Sequence, residues 1–388
     1  MIAEPDPVRQ SLRSAVRGRL REAVALVPDP QPRPATATAG AVATNGGEAA
    51  DGAWAADAAD ETAWAALREL GAPAFDAPLS AGGLALGLAA STAVAEELGR
   101  AALSGRYLAV AFAIDAAATG GAPASPLADL VAGDLVVTLA GFDHDHPPVR
   151  AKETGDGHLE LTGRLALEVG TDVRTGAVLA PVELAGGHLA ATMLELSTVD
   201  PATVRIDPVR EPSGAAGLLT LAGTRCAESA VLCTWDRSPV PAGVLGRARI
   251  RQAAFLLGLA HGALAIGACY TTDRHQFGQP LRDFQSVAFR LAARYTDLEA
   301  LRLAVARATS LADAEQPYGP AAAEVLAQAA ETAATTVQTV LQVCGVRGMT
   351  GELGVHRHYL RARQETRRLG TPGTRWRELG LHRLRQSL

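Results

Sequence analysis

Aromatic side chains are scarce: Phe, Trp and Tyr together make up 4% of 388 residues, and methionine occurs three times. A core built around large rings is therefore excluded, and any core must be close-packed from Ala, Leu and Val. Cysteine is as rare, with only Cys226, Cys233, Cys269 and Cys344. Their spacing gives no CxxC pair and no metal-ligand pattern. That argues against a disulfide framework and a zinc site, and the four read as reduced, buried thiols. Positive charge is not in excess either: 36 Lys and Arg against 41 Asp and Glu leave −5. A general field for nucleic acid or an anionic membrane is thus excluded, but a local basic patch is not. No run of eighteen uncharged apolar residues occurs, so no membrane-spanning helix is expected. The opening MIAEPDPVRQ carries acids and lacks the apolar segment of a signal peptide, so a cytoplasmic location is the expectation.

Hydrophobic residues make up 48%, enough for a sizeable core. Val8, Leu12, Val16, Leu20 and Val24 recur at fourfold spacing and predict a helix over 7–27. Residues 28–60, with Pro28, Pro30, Pro32 and Pro34 followed by Ala, Thr, Gly and acid, predict a long mobile loop. Helical period returns at Glu61, stops at Gly71 and Pro73, and resumes over 85–103. The middle third differs. Leu135–Ala140, His158–Leu161, Ala177–Val182 and Ala190–Leu196 are short, apolar and separated by Gly, Pro and Asp, as in an antiparallel sandwich or barrel. After Pro239 and Pro241, Arg249–Thr272, Phe284–Leu311 and Ala321–Cys344 are long enough to form an antiparallel bundle. The expected architecture is α+β and mostly α: an N-terminal helical domain (1–124), a middle β-sandwich or barrel domain (125–238) and a C-terminal four-helix bundle (239–388).

Several strings now carry a resemblance. Leu70-Gly71-Ala72-Pro73, Pro78 to Leu84, and Glu96-Glu97-Leu98-Gly99-Arg100 lie in the first helical part. Asp273-Arg274-His275-Gln276-Phe277-Gly278-Gln279-Pro280-Leu281, followed by Phe284-Gln285, opens the bundle hairpin. Gln342 to Gly348 and His356 to Arg361 follow. Over residues 61–388 the chain resembles the acyl-CoA dehydrogenase family. The resemblance implies tetramers with FAD at a subunit boundary. It also implies α,β-dehydrogenation of an acyl thioester, the flavin taking a hydride from the β-carbon and a carboxylate taking the α-proton. Arg274 matches the family arginine that reaches a neighbouring subunit's FAD diphosphate, and a guanidinium fork suits such oxygens. Phe277 would pack beside that cofactor. Gln342 and Gly345 would bring backbone against its adenosine end, and Thr371 would be a further contact. Without the resemblance, Arg274 is a helix-end surface arginine and Gly345 a helix C-cap.

The departures are as informative. The family's catalytic glutamate falls at Leu369, and its alternative position on the first bundle helix falls at Ala248. Neither residue has a proton-accepting atom. Of the acids nearby, Glu352 and Glu365, the latter is the candidate base, set against a reading as a solvated acid among Arg361, Arg363, Arg367 and Arg368. The Gly155 to Arg164 turn is kept, but no tryptophan follows it to stack on a flavin, and Gly141 to Pro148 replaces a flavin-holding loop. Asp143-His144-Asp145-His146 suggests a metal, but no further His or Cys supports it, and the expected metal content is none. The basic run Arg357–Arg368 would suit coenzyme A phosphates or an acidic carrier protein. With these departures the chain resembles the base-lacking subunit of the family's heterotetrameric (α2β2) actinobacterial members, which implies that it helps a homologous, base-bearing partner complete an FAD site. The substrate would be an acyl-CoA or acyl-carrier-protein thioester. Alternatives are flavin-dependent oxygenation, flavin-free cyclisation or dehydration, and a scaffold subunit.

Overall fold

The structure is a computed structural model and describes residues 7–25, 58–120, 124–142, 149–167, 176–211, 214–235 and 242–387. Most of the expected loop at 28–60, the Asp143–His146 string and the residues after Leu167 where the tryptophan is missing lie outside the described residues. Residues 58–60 are helical, not loop: α2 spans Ala58–Glu69, with Asp60 and Glu61 in its first turn where the helix dipole favours acid. The first helix, α1, spans Pro7–Ala25. It buries Val16 and Leu20 and packs on α3 (Leu88–Arg100). The contact is ionic at its edge. Arg13 pairs with Glu96, and Arg17 grips Glu97 through two bonds of 2.7 Å. Both glutamates are buried, so these arginines offset charges that would otherwise be desolvated.

Helix α4 (Arg106–Gly120) is buried nearly all round and lies against the sheet. Helix α5 (Ala124–Ala132) is a correction: these residues were expected to begin the β region, but they form a helix whose start is marked by Pro126. The strands are β1 (Val137–Leu139), β2 (Val149–Glu153), β3 (His158–Leu167), β4 (Ala177–Glu183), β5 (Leu189–Glu195), β6 (Val204–Glu211), β7 (Gly214–Ala227) and β8 (Val231–Trp235). They form one eight-stranded sheet in the order β6-β7-β3-β2-β4-β5-β8, with β1 also on β4. Strand β4 is buried on both faces. Ala177 and Leu179 join the helical core, while Val178, Ala180 and Val182 join a second core beneath β3 and β7. Pro181 sits mid-strand without breaking the ladder. The Ala177 N–H and the Leu179 carbonyl bond towards β1, so the Pro181 nitrogen faces the same side. There the neighbour changes from β1, which ends opposite Leu179, to β2, which starts opposite Val182. No hydrogen bond is lost.

The bundle is α6 (Ala242–Asp273), α7 (Gln285–Asp313), α8 (Gly319–Cys344), the short α9 (Val346–Met349), α10 (Val355–Glu365) and α11 (Pro372–Ser387). Helix α6 is central and touches α3, α4, α7, α8 and α10. It is long and apolar enough to cross a membrane, yet 67% of its most apolar window is buried inside the protein, as in a core helix. Its approach to α3 depends on glycine. A Cβ on Gly258 would lie 1.9 Å from the Glu96 carbonyl oxygen, and one on Gly99 would lie 1.9 Å from that of Phe255. Alanine and glycine thus replace the missing aromatics by letting backbones meet. Three cysteines are buried as expected, but Cys269 is exposed on α6.

One polar cluster crosses this core. Arg251 of α6 is 1% exposed. It donates to Asp76 at 2.5 Å, to Asp115 of α4 at 2.6 Å and to Ser91 of α3 at 2.9 Å. Arg247, one turn earlier, bonds the other oxygens of both aspartates. Burial alone would raise the Asp76 pKa, but Arg251 and Arg247 hold it below the usual carboxylate value. Arg251→Ala should leave two buried carboxylates half-paired and cost about 3–5 kcal/mol, read as a lower urea midpoint.

His261 of α6 has its pKa pushed down to about 4, first by burial and then by Arg100. Its Nδ1 is buried and has no partner among the described residues, as suits a neutral ring. The unfolded chain therefore takes up a proton that the folded chain refuses. Stability should fall as pH drops from about 6.5 towards 4, and His261→Gln should flatten that limb in a pH series of thermal midpoints.

Candidate functional site

The chain leaves α6 through a two-stranded hairpin, His275–Gln276 against Gln279–Pro280. Its central residues, Phe277 and Gly278, both have positive φ, 50° and 83°. Such a turn suits the twist of a hairpin, but phenylalanine is strained there where glycine would not be. Phe277 is also 92% exposed, its ring edge-on to that of Phe284 at 6.3 Å between centroids.

At the hairpin's foot lies an open cleft of about 490 Å³ between the end of α6, the start of α7 and the junction of α8 with α9. The expected residues Arg274, Gln342 and Gly345 all line it. Gly345 ends α8 with φ 60°, its N–H returning to Leu341 at 3.0 Å. That left-handed residue turns the chain so that Val346 and Arg347 face the cleft. Phe277 stands outside the lining, and so does Thr371. The Thr371 hydroxyl instead caps the start of α11, 3.4 Å from the Thr374 N–H and 2.9 Å from its hydroxyl. Sequence reasoning missed Tyr270, Ser286, Arg290 and Arg347. The signal was the i,i+4 pair Ser286 and Arg290, which share a face of α7.

Among the described residues, three arginines and no Asp or Glu line the cleft. Arg347 is held by Glu352 at 2.9 Å. The remaining walls are largely apolar, including Leu281, Val287 and Val343. Guanidinium groups beside apolar residues, two of them without a carboxylate partner among the described residues, fit the diphosphate and ring portions of a dinucleotide such as FAD.

The two positions for a catalytic carboxylate are closed. Ala248 is 6% exposed and Leu369 2%, both packed in the main core. Leu369 keeps a left-handed φ of 60°, an expensive backbone for a residue with no reactive atom. Arg249, beside Ala248, is buried and doubly bonded to Glu378 at 3.0 and 3.1 Å, and Arg375 reaches the same carboxylate at 2.6 Å. Glu365, expected on a solvated face, is instead 1% exposed. Its oxygens accept from Arg368 at 2.7 and 3.2 Å and from Gln252 at 3.0 Å. A carboxylate so paired joins helices and is not free to take a substrate proton. Glu352 is exposed and spent on Arg347.

Residues 239–379 match the C-terminal domain of acyl-CoA dehydrogenases. Over 335 residues the chain is 31% identical to acyl-CoA dehydrogenase FadE27 of Mycobacterium tuberculosis, covering 83% of this chain and 87% of that protein. The chain belongs to the acyl-CoA dehydrogenase family. In three dimensions it resembles a chain of the ChsE4–ChsE5 complex from Mycobacterium tuberculosis, at TM-score 0.80, 25% identity and 98% coverage of each chain. Butyryl-CoA dehydrogenase from Megasphaera elsdenii shares the fold at TM-score 0.81 and 21% identity, covering 99% of this chain and all of that one.

Restoring a glutamate should not restore a base. Leu369→Glu would bury an unpaired carboxylate. We expect a loss of about 3 kcal/mol or more, with no thioester oxidation gained by the chain alone. Differential scanning fluorimetry and an acyl-CoA dye-reduction assay check both halves.

Proposed function

We propose that this acyl-CoA dehydrogenase-family chain is a subunit without a catalytic base, which completes the FAD site of a base-bearing, homologous partner. The observation that carries this reading is a pairing: both base positions are apolar and buried, while the arginine cleft at the hairpin is open and lined by no acid. A subunit serving only its own active site would need the base. A mere scaffold would have no use for the cleft. The similar chain from the complex of ChsE4 with ChsE5 belongs to a two-chain assembly, which agrees with this reading.

In this reading FAD, when bound, accepts the hydride removed from the β-carbon of an acyl thioester. The work of this chain is binding. Arg274 holds diphosphate oxygens, Gln342 offers an amide to the nucleotide end, and the Gly345 turn lets backbone approach. Exposed Phe277, Val346 and Met349 meet the partner's surface and exclude water from the junction. The α-proton leaves to the partner's carboxylate. The thioester, on coenzyme A or on a carrier protein, is also bound on the partner's side.

The test is a visible spectrum of the purified chain, alone and co-expressed with a base-bearing homologue. A colourless lone chain, inactive on acyl thioesters, and about one FAD per pair of chains are expected. Arg274→Ala should lower that ratio without dissociating the pair, as read by size-exclusion chromatography with absorbance. Stoichiometric flavin and turnover in the lone chain would overturn the proposal. Full FAD retention in Arg274→Ala pairs would favour a scaffold.

A further inference from the structure

We infer that Arg290 is a second diphosphate-binding residue of the cleft that Arg274 also lines, and that the pair selects a nucleoside diphosphate moiety over a monophosphate. The inference rests on the reading of the cleft as a nucleotide site.

Arg274 follows the last residue of α6 and Arg290 lies in the second turn of α7, so the two reach the cleft from different helices joined by the hairpin. Neither side chain makes a hydrogen bond or ion pair among the described residues, whereas further along α7 Arg294 pairs with Asp297 and Arg302 with Glu299. The difference is local. The positions three and four residues from Arg290 are Ser286, Val287, Ala293 and Arg294, none of them acidic. No carboxylate among the described residues lines the cleft to compensate. Two free guanidinium groups and a third held by Glu352 therefore converge on one concavity, an arrangement whose mutual repulsion is relieved by an anion of more than one charge.

The chemistry sets the class. One guanidinium fork engages the oxygens of one phosphate. A diphosphate presents two adjacent anionic phosphates and needs two forks approaching from different sides. Arg347 contributes field more than a fork, because its Nε is already committed to Glu352. The Ser286 hydroxyl, one turn before Arg290, adds a neutral donor on the same face. A mononucleotide would leave one of the two free arginines without a partner.

Diphosphates of this kind occur both in FAD and in coenzyme A, and the experiment separates them. Isothermal titration of the full chain with ADP and with AMP should show tighter ADP binding. Arg290→Ala should weaken ADP about tenfold or more and bring the ADP-to-AMP ratio close to one. Arg290→Lys, which keeps the charge but loses the fork, should fall between. Arg307→Ala, an exposed arginine of α7 away from the cleft, should match the unaltered chain. Bound ADP is then displaced with FAD or with coenzyme A. Displacement by coenzyme A alone keeps the diphosphate clamp and removes the FAD reading. Displacement by FAD, with Arg274→Ala weakened and Arg290→Ala unchanged, keeps the FAD reading and overturns the role of Arg290. Absence of ADP binding to the unaltered chain overturns it as well.

Discussion

The architecture depends on the ion cluster at Arg251. Three separate pieces of the N-terminal half, carrying Asp76, Ser91 and Asp115, converge on two arginines spaced one turn apart on α6. Taken singly, each charge would be intolerable at this depth. Together they convert an otherwise uniform Ala-Leu-Val core into one with a fixed register, because sliding α6 by a residue along α3 would part every bond at once. The glycines at 99 and 258 make the approach possible, and the cluster decides where it stops. A core with few large side chains has little shape to specify its packing, so the directional groups carry that role.

The same helix differs between its two ends. Over its first three turns, α6 is committed to packing and to the ion pairs of Arg247, Arg249 and Arg251, and Ala248 is packed in the same core. At its exposed end it runs into the hairpin and Arg274, where nothing among the described residues answers the charge. Glu365 and Leu369 repeat the contrast nearer the C-terminus: a carboxylate tied to Arg368 and Gln252, and a leucine in a backbone shape usually reserved for working residues. What stays open is the arginine-lined cleft at the hairpin, while both positions 248 and 369 are closed.

Much of this is legible from residues alone. The three long bundle helices lie within a few residues of their expected ends except at the start of α6, which begins seven residues earlier, because long apolar periodicity is a strong signal. Arg274, Gln342 and Gly345, singled out by separate motifs, line one cleft. The failures have physical causes. The short α5 is hidden among segments of β-like composition, and Pro126, a helix-start residue, is the cue against that reading. Glu365 reads as a surface acid because its neighbours are arginines, but one of them, Arg368, turns inward with it. Thr371 is a cap because its hydroxyl sits next to a helix start. Arg290 lies outside the family motifs, its one sequence cue being the i,i+4 spacing to Ser286, and the fold brings it into the cleft that Arg274 lines.

Helix α6 also has a consequence for the order in which the protein comes together. It leaves the ribosome after α3, α4 and the sheet, but before α7 and α8. Its N-terminal-side partners are ready, while the helices that cover its opposite flank are still unmade. For that interval a long, apolar cylinder stands half dressed, with the ion cluster closed on one side and bare leucine and alanine on the other. The nascent chain is most vulnerable to sticking at this point in synthesis, and the final bundle helices act as the cover that ends the exposure.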